Sequence, residues 1–275
     1  MQASARLNPI QLRMKAISWL GIALLIGTSR VLFAQEAQEH EQEEAGVNPY
    51  TAPSVAEIFQ QLDDLQPLPF DQLKRDFPQA AHASREQMGM VFGGLVADGF
   101  LIVESKRSNL VEDLGRVLLR QAKSLGVGDR VIRHSASLTE LGKKGDWPAV
   151  RKELIATQED VEQAMIELRD QKLAHLISLG GWLRGLEICA GAVEDKYTPD
   201  RAAALWQRDL VNYFAEEMET LPPATAHKPL FEKVRKGLGE IRDLLNRAPE
   251  APPLDQVKVL HAKSKELNLT IAAAD

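Results

Sequence analysis

The sequence predicts an all-α fold, a helical bundle built from long helices. Hydrophobic residues make up 44% of the chain but aromatic residues only 5%. The core must therefore come mainly from Leu, Val, Ile and Ala, which favours packed helices over sheets. No proline interrupts the chain between Pro78 and Pro148 or between Pro148 and Pro199. No alternation of period two, the pattern typical of strands, stands out anywhere.

Capping residues and glycines place the individual helices. Ser84, followed by Gln87 three residues later, forms a capping box and predicts a long helix near 84–106. Two glycines shortly after residue 125 are expected to end a second helix, near 109–125. Other predicted helices cover residues 54–65, 129–141, 198–220, 228–247 and 254–267.

The longest predicted helix begins at Asp146, a good N-cap, with Pro148 in its first turn. Mostly apolar residues recur at every seventh position along it: Trp147, Leu154, Val161, Leu168, His175, Trp182 and Cys189. An unbroken helix of roughly 47 residues would be about 70 Å long. Because paired glycines weaken a helix interior, we expect a kink or break near Gly180–Gly181.

The N-terminus has the order of regions found in a secretory signal. Residues 1–15 are basic, residues 16–27 form an apolar run, and a short segment ending at Ala34 follows. The run of about 12 residues is shorter than the ~20 that span a bilayer as a helix. We therefore expect residues 1–34 to be a signal peptide cleaved after Ala34, with an uncleaved membrane anchor as the alternative. Either way, the rest of the chain is expected outside the cytoplasm, periplasmic or secreted.

Residues 35–53 are rich in Glu and Gln and contain no apolar face. Such a segment is expected to be a disordered acidic linker. It separates the signal segment from one helical bundle domain that we expect to span 54–275, in which the C-terminal helices could form a subdomain.

The charge of the chain argues against nucleic-acid binding. The first 34 residues carry four basic groups and no acidic group, and the remaining 29 basic and 39 acidic residues give a net charge of −10. Non-specific binding to nucleic acid needs clusters of Lys and Arg that displace counterions. No nucleic-acid partner is therefore expected, and a membrane contact is expected only if the N-terminal segment is retained.

The chain lacks the usual local motifs of metal and cofactor sites. Cys189 is the only cysteine, which excludes an intramolecular disulfide and covalent c-type haem. Neither HExxH nor a Glu-x-x-His pair is present, so the ligands of common helical metal sites are missing. We expect no metal and no cofactor, and the absence of nucleophile–base and nucleotide motifs makes an enzyme the less favoured class.

The first candidate site is a polar layer centred on His175. Gln171 and Ser178 lie one turn to either side of it in the apolar seven-residue series. Three polar groups on one face of a core helix can fix the register of the bundle. Alternatively, they can bind a ligand or a metal, or contribute to an enzyme site assembled from separate helices.

The second candidate site is a groove lined by glycines. Gly93 and Gly94 lie in one apolar helix, and Gly185 lies in another beside Trp182 and Arg184. Missing side chains allow close helix packing, or they leave a groove for a small apolar ligand or a partner helix. Together these features predict a non-enzymatic binding or interaction protein of the cell envelope. The alternative is an enzyme or a cofactor- or metal-binding bundle around His175.

Overall fold

The computed structural model describes residues 62–79 and 84–273. These residues are 80% helical and contain no strands, which confirms the all-α helical bundle. All the described residues belong to one compact unit. The predicted signal peptide, the acidic linker and most of the predicted helix 54–65 lie outside the described residues, although residues 62–64 are helical.

The helices within the described residues are α1 (Phe70–Leu73), α2 (Arg85–Glu104), α3 (Ser108–Ser124), α4 (Gly128–Lys144), α5 (Trp147–Glu167), α6 (Gln171–Asp195), α7 (Pro199–Ala203), α8 (Arg208–Glu219), α9 (Pro223–Ala226), α10 (Pro229–Arg247) and α11 (Leu254–Ala272). The predicted helices near 84–106, 109–125, 129–141 and 228–247 are confirmed within a few residues. At the start of α2, the side chain of Ser84 accepts a hydrogen bond from the backbone N–H of Gln87, as expected of the capping residue. At the end of α4, Gly145 adopts a positive φ of 68°, which few other residues tolerate.

The long helix predicted from Asp146 is divided, but not at the glycine pair where the break was expected. The chain leaves the helical path at residues 168–170, where Arg169 has a φ of 59°, and it restarts as α6. Gly180 and Gly181, where a break was expected, lie inside the continuous and buried α6. The glycine pair sits where α6 packs against α2, so neighbouring backbone supports the helix at that point.

The predicted helix 198–220 is also divided, into α7 and α8. Between them Leu205 is fully buried and the side chain of Gln207 turns into the core, where it accepts a hydrogen bond from Trp182. The burial of these two side chains explains the interruption. The last helix, α11, continues five residues beyond the predicted end at Leu267.

Helices α2 and α6 form the centre of the bundle. Helices α3, α4 and α5 pack against one another in succession, and α3 and α5 also contact α2; α11 packs on α6 and α2, while α10 packs on α11 and α8. Among the described residues, two helices, α2 and α6, are long and apolar enough to cross a membrane. In the protein, however, their most apolar stretches are 94% and 100% buried, respectively. In this fold they are the core helices of the bundle.

Candidate functional site

The glycines of the predicted groove are sites of close helix packing. A Cβ atom added at Gly93 would lie 1.8 Å from the carbonyl oxygen of Ile177, and one added at Gly180 would lie 2.0 Å from the carbonyl oxygen of Met90. The backbones of α2 and α6 therefore fill the space that the missing side chains leave. There is no open groove at Gly93, and the absence of a side chain there allows the two helices to pack closely.

Trp182 and Gly185 lie in the core rather than on the wall of an open groove. The side chain of Trp182 is 1% exposed, its indole N–H donates to the amide oxygen of Gln207 at 2.7 Å, and its ring packs on Phe214. Gly185 is buried within the same helix. Both residues contribute to the packing of α6 against its neighbours.

Arg184 is the centre of a buried ionic network. Its side chain is 1% exposed and forms ion pairs with Asp98 and Glu187, both at 2.8 Å. It also donates to the backbone carbonyl of Leu73. Burial alone would lower the pKa of Arg184, but the two carboxylates outweigh this effect and raise it. The guanidinium is therefore charged and ties α6 to α2 and to the last residue of α1.

The network reaches the surface through Arg75. The Nε of Arg75 donates to the second carboxylate oxygen of Asp98 at 2.7 Å, so Asp98 bridges two arginines. A Cβ atom at Gly94 would lie 2.8 Å from the Nη2 of Arg75. The absence of a side chain at Gly94 therefore gives the guanidinium room to lie across α2. At the other end of the network, Asn268 of α11 donates to Glu187 at 2.9 Å.

A cleft of about 780 Å³ opens beside Arg75. It lies between the 70–79 segment, the C-terminal half of α2 and the start of α3, with Leu101 and Ile102 among its apolar lining. Pockets that hold small molecules have volumes of roughly 300–1,000 Å³ and combine apolar walls with a few placed polar groups. A second cavity of about 90 Å³, also lined by Arg75, lies between Gly94 and α11.

Charged residues form the rim of this cleft. Lys74 pairs with Asp71 at 2.8 Å, and Arg107 lies 3.9 Å from the same carboxylate. The hydrogen bond and the charge of Lys74 lower the pKa of Asp71. The guanidinium of Arg107 also stacks over the ring of Phe70, with 4.6 Å between the guanidinium carbon and the ring centroid. The cleft therefore combines an apolar interior with charged groups of both signs.

The structure separates the three residues of the predicted polar layer. Gln171 is exposed at the start of α6. His175 is half-buried, and its Nδ1 is hydrogen-bonded to the hydroxyl of Tyr213 on α8 at 2.5 Å. Ser178 is buried and donates to Glu162 on α5 at 2.6 Å. The expectation that these three residues form a single polar layer is therefore wrong, because His175 and Ser178 have partners on different helices.

Glu162 is a candidate residue that the sequence analysis missed. Its carboxylate accepts hydrogen bonds from Ser178 and from the amide of Gln158, but burial outweighs both and raises its pKa to about 7. Burial lowers the pKa of His175, although Glu217 at 3.9 Å opposes the shift. The sequence shows Glu162 only as a polar residue next to Val161 of the apolar series, so the raised pKa depends on how the helices pack.

Little space adjoins these polar groups. The cavity next to His175 has a volume of about 10 Å³, which is roughly the room that one water needs. Cys189, further along α6, is buried, and burial raises its pKa to about 12, so its thiol stays protonated at neutral pH. In the part of the chain that the structure describes, no group of three or more His, Cys, Asp or Glu residues could hold a metal ion.

No protein-family model, curated protein or solved structure matches this chain. Among the described residues, two places can be considered as functional sites: the cleft beside Arg75 and the polar side chains around Glu162 and His175. The first offers space for a ligand, and the second offers groups that can exchange protons.

Proposed function

We propose that the chain is an exported, non-enzymatic binding protein of the cell envelope that holds a small amphipathic ligand in the cleft beside Arg75. The observation that carries this proposal is the cleft itself, whose volume of about 780 Å³ suits a small molecule. Its apolar lining can bury the body of such a ligand, while the charged rim can orient a polar end.

The ionic network makes the inner wall of the cleft rigid. Arg75 is held by Asp98, and Asp98 is held in turn by the fully buried Arg184. A polar group fixed before binding loses less conformational entropy when a ligand arrives. This arrangement supports a pre-formed site, and it gives Gly94 the role of leaving room for Arg75.

Export is part of the proposal and rests on the order of charged, apolar and small residues in 1–34. Intact mass measurement of the protein isolated from its own cells tests it. A chain that begins at Gln35 supports a cleaved signal. A membrane-bound chain that retains residues 1–34 supports the anchor instead, and a full-length chain in the cytoplasm contradicts export.

Titration with anilinonaphthalene sulfonate, an apolar fluorophore with one anionic group, tests the cleft. We expect saturable binding of one probe per chain. Asn109 is exposed and lines the cleft, so Asn109→Trp should obstruct part of it and weaken binding. Gln163→Trp, at an exposed position on α5, is the matched control and should leave binding unchanged. Absent binding, or equal binding by the two variants, contradicts the proposal.

The second candidate is an enzyme site around His175, favoured by the pKa of about 7 at Glu162. A carboxyl group with such a pKa can act as a general acid or base at neutral pH. The cavity of about 10 Å³ beside His175 supports the binding protein over the enzyme, because a substrate does not fit there. Native mass spectrometry separates the two: a bound species reduced in Asn109→Trp supports the cleft, and one reduced only in Glu162→Gln supports the enzyme.

A further inference from the structure

Helices α3 and α4 carry an excess of positive charge in an otherwise acidic protein. Residues 106–144, which we call the basic hairpin, contain nine Lys or Arg and four Asp or Glu, a net charge of +5. The remaining residues of the chain after 34 are strongly acidic, since residues 35–275 together have a net charge of −10. All nine basic side chains of the hairpin are exposed. The positive charge is therefore available to a partner.

Ion pairs within the protein neutralise only part of this charge. Four of the nine, Arg107, Arg116, Arg130 and Lys143, lie within 4 Å of a carboxylate. Among the described residues, the other five have no ion-pair partner: Lys106, Arg120, Lys123, Arg133 and Lys144. The hairpin thus presents a net positive surface.

The basic groups follow the outward faces of the two helices. Arg116, Arg120 and Lys123 have the spacing that places them along one stripe of α3, and together with Leu119 they line a shallow, open depression. On α4, Ile132 is 48% exposed and adjoins the basic Arg133 in sequence. This face therefore consists mainly of cationic groups, with few apolar side chains among them.

We propose that the basic hairpin docks this protein peripherally on an anionic phospholipid bilayer. Each Lys or Arg close to an anionic membrane surface contributes attraction that salt screens. The hairpin contains no Phe, Tyr or Trp. It therefore lacks both the aromatic residues that stack on nucleic-acid bases and those that anchor proteins at membrane interfaces. Contact by charge, without insertion, is the mode that these residues support, and it does not depend on the cleft.

Sedimentation of the full chain with lipid vesicles tests the proposal. The vesicles contain phosphatidylcholine alone or with about one third phosphatidylglycerol, at about 0.05 M and 0.5 M salt. We expect binding only to the anionic vesicles and only at low salt. The triple variant Arg116→Gln, Lys123→Gln, Arg133→Gln should reduce the partition coefficient at least about tenfold.

A matched triple variant controls for overall charge. Lys233, Arg235 and Lys236 are exposed on α10, and their replacement by Gln removes the same charge elsewhere on the protein. This variant should bind anionic vesicles as the wild type does, and all three proteins keep the basic N-terminus. Equal loss in both variants, or no binding to anionic vesicles, overturns the proposal. Binding to a single-stranded oligonucleotide tighter than to vesicles overturns it in favour of nucleic acid.

Discussion

Two carboxylates, those of Asp98 and Glu162, contact α6 in different ways, and their partners decide what each can do. Asp98 lies between two guanidinium groups, with Arg184 at 2.8 Å and Arg75 at 2.7 Å. Glu162 receives hydrogen bonds from the neutral side chains of Ser178 and Gln158, and its pKa rises to about 7. A carboxylate paired with cations links structural elements, whereas one surrounded by neutral donors gains or loses a proton near neutral pH.

The largest expected effect comes from removing the carboxylate of Asp98, which is paired with two arginines. Asp98→Ala would leave the buried Arg184 with Glu187 alone and would release Arg75. Removing one partner of a buried ion pair costs about 3–5 kcal/mol, so the free energy of unfolding should fall by that amount in chemical denaturation. Asp71→Ala removes a fully exposed carboxylate on the same cleft, where water screens its pair with Lys74, so it should change the free energy of unfolding far less. Similar stabilities of the two variants would contradict the structural role of the network.

A second change tests the helix crossing that brings Asp98 and Arg184 together. Gly93→Ala places a Cβ against the backbone of Ile177, which cannot move aside as a flexible side chain can. We expect a loss of about 2–4 kcal/mol by thermal or chemical unfolding. Gly239→Ala is the control: it lies in α10 with no atom within 4 Å of the added Cβ, so it should stabilise by up to about 1 kcal/mol. If both variants were destabilised to the same degree, the result would argue against close backbone packing where α2 crosses α6.

A third experiment tests the protonation of Glu162, the carboxylate without a cationic partner, by varying the pH. The folded protein holds the pKa of Glu162 at about 7, above its ordinary value of 4.5, so folding favours the protonated form. The stabilisation is complete below the ordinary pKa and is lost as pH rises towards the folded value. Between these values the free energy of unfolding should fall by about 3 kcal/mol.

Glu162→Gln should remove this pH dependence, because the amide keeps a hydrogen-bonding oxygen but cannot ionise. Urea denaturation at several pH values measures the difference between wild type and variant, so the titration of other groups common to both proteins cancels. If the free energy of unfolding varied with pH in the same way for both proteins across this range, Glu162 would not be the group that causes the pH dependence.

The smallest expected effect concerns His175. Replacement by Leu removes the hydrogen bond to the Tyr213 hydroxyl but fills a half-buried position with an apolar group. We expect a net change in stability of at most about 1 kcal/mol, measured by thermal unfolding. Tyr213→Phe serves as the paired variant, and the double variant should cost less than the sum of the single changes if the bond contributes. Additive effects would indicate that the bond contributes nothing measurable.

Local signals predicted the helices well because they act within a few residues. The N-cap at Ser84 and the glycine at 145 that ends α4 could be predicted because each signal depends on residues within one helical turn. The break after α5 was missed because residues 168–170 contain neither Gly nor Pro. The glycine pair at 180–181, which locally disfavours helix, is held helical by its packing on α2.

An all-α chain with long apolar helices and an acidic composition could be predicted from the sequence alone. Tertiary structure decided which polar residues meet. Arg75, Asp98, Arg184 and Asn268 are far apart in the chain, and their contacts exist only because the 70–79 segment, α2, α6 and α11 pack together. The burial that raises the pKa of Glu162 has the same origin. Helix periodicity reports which face of one helix is apolar, but it contains no information about which other helix will cover that face.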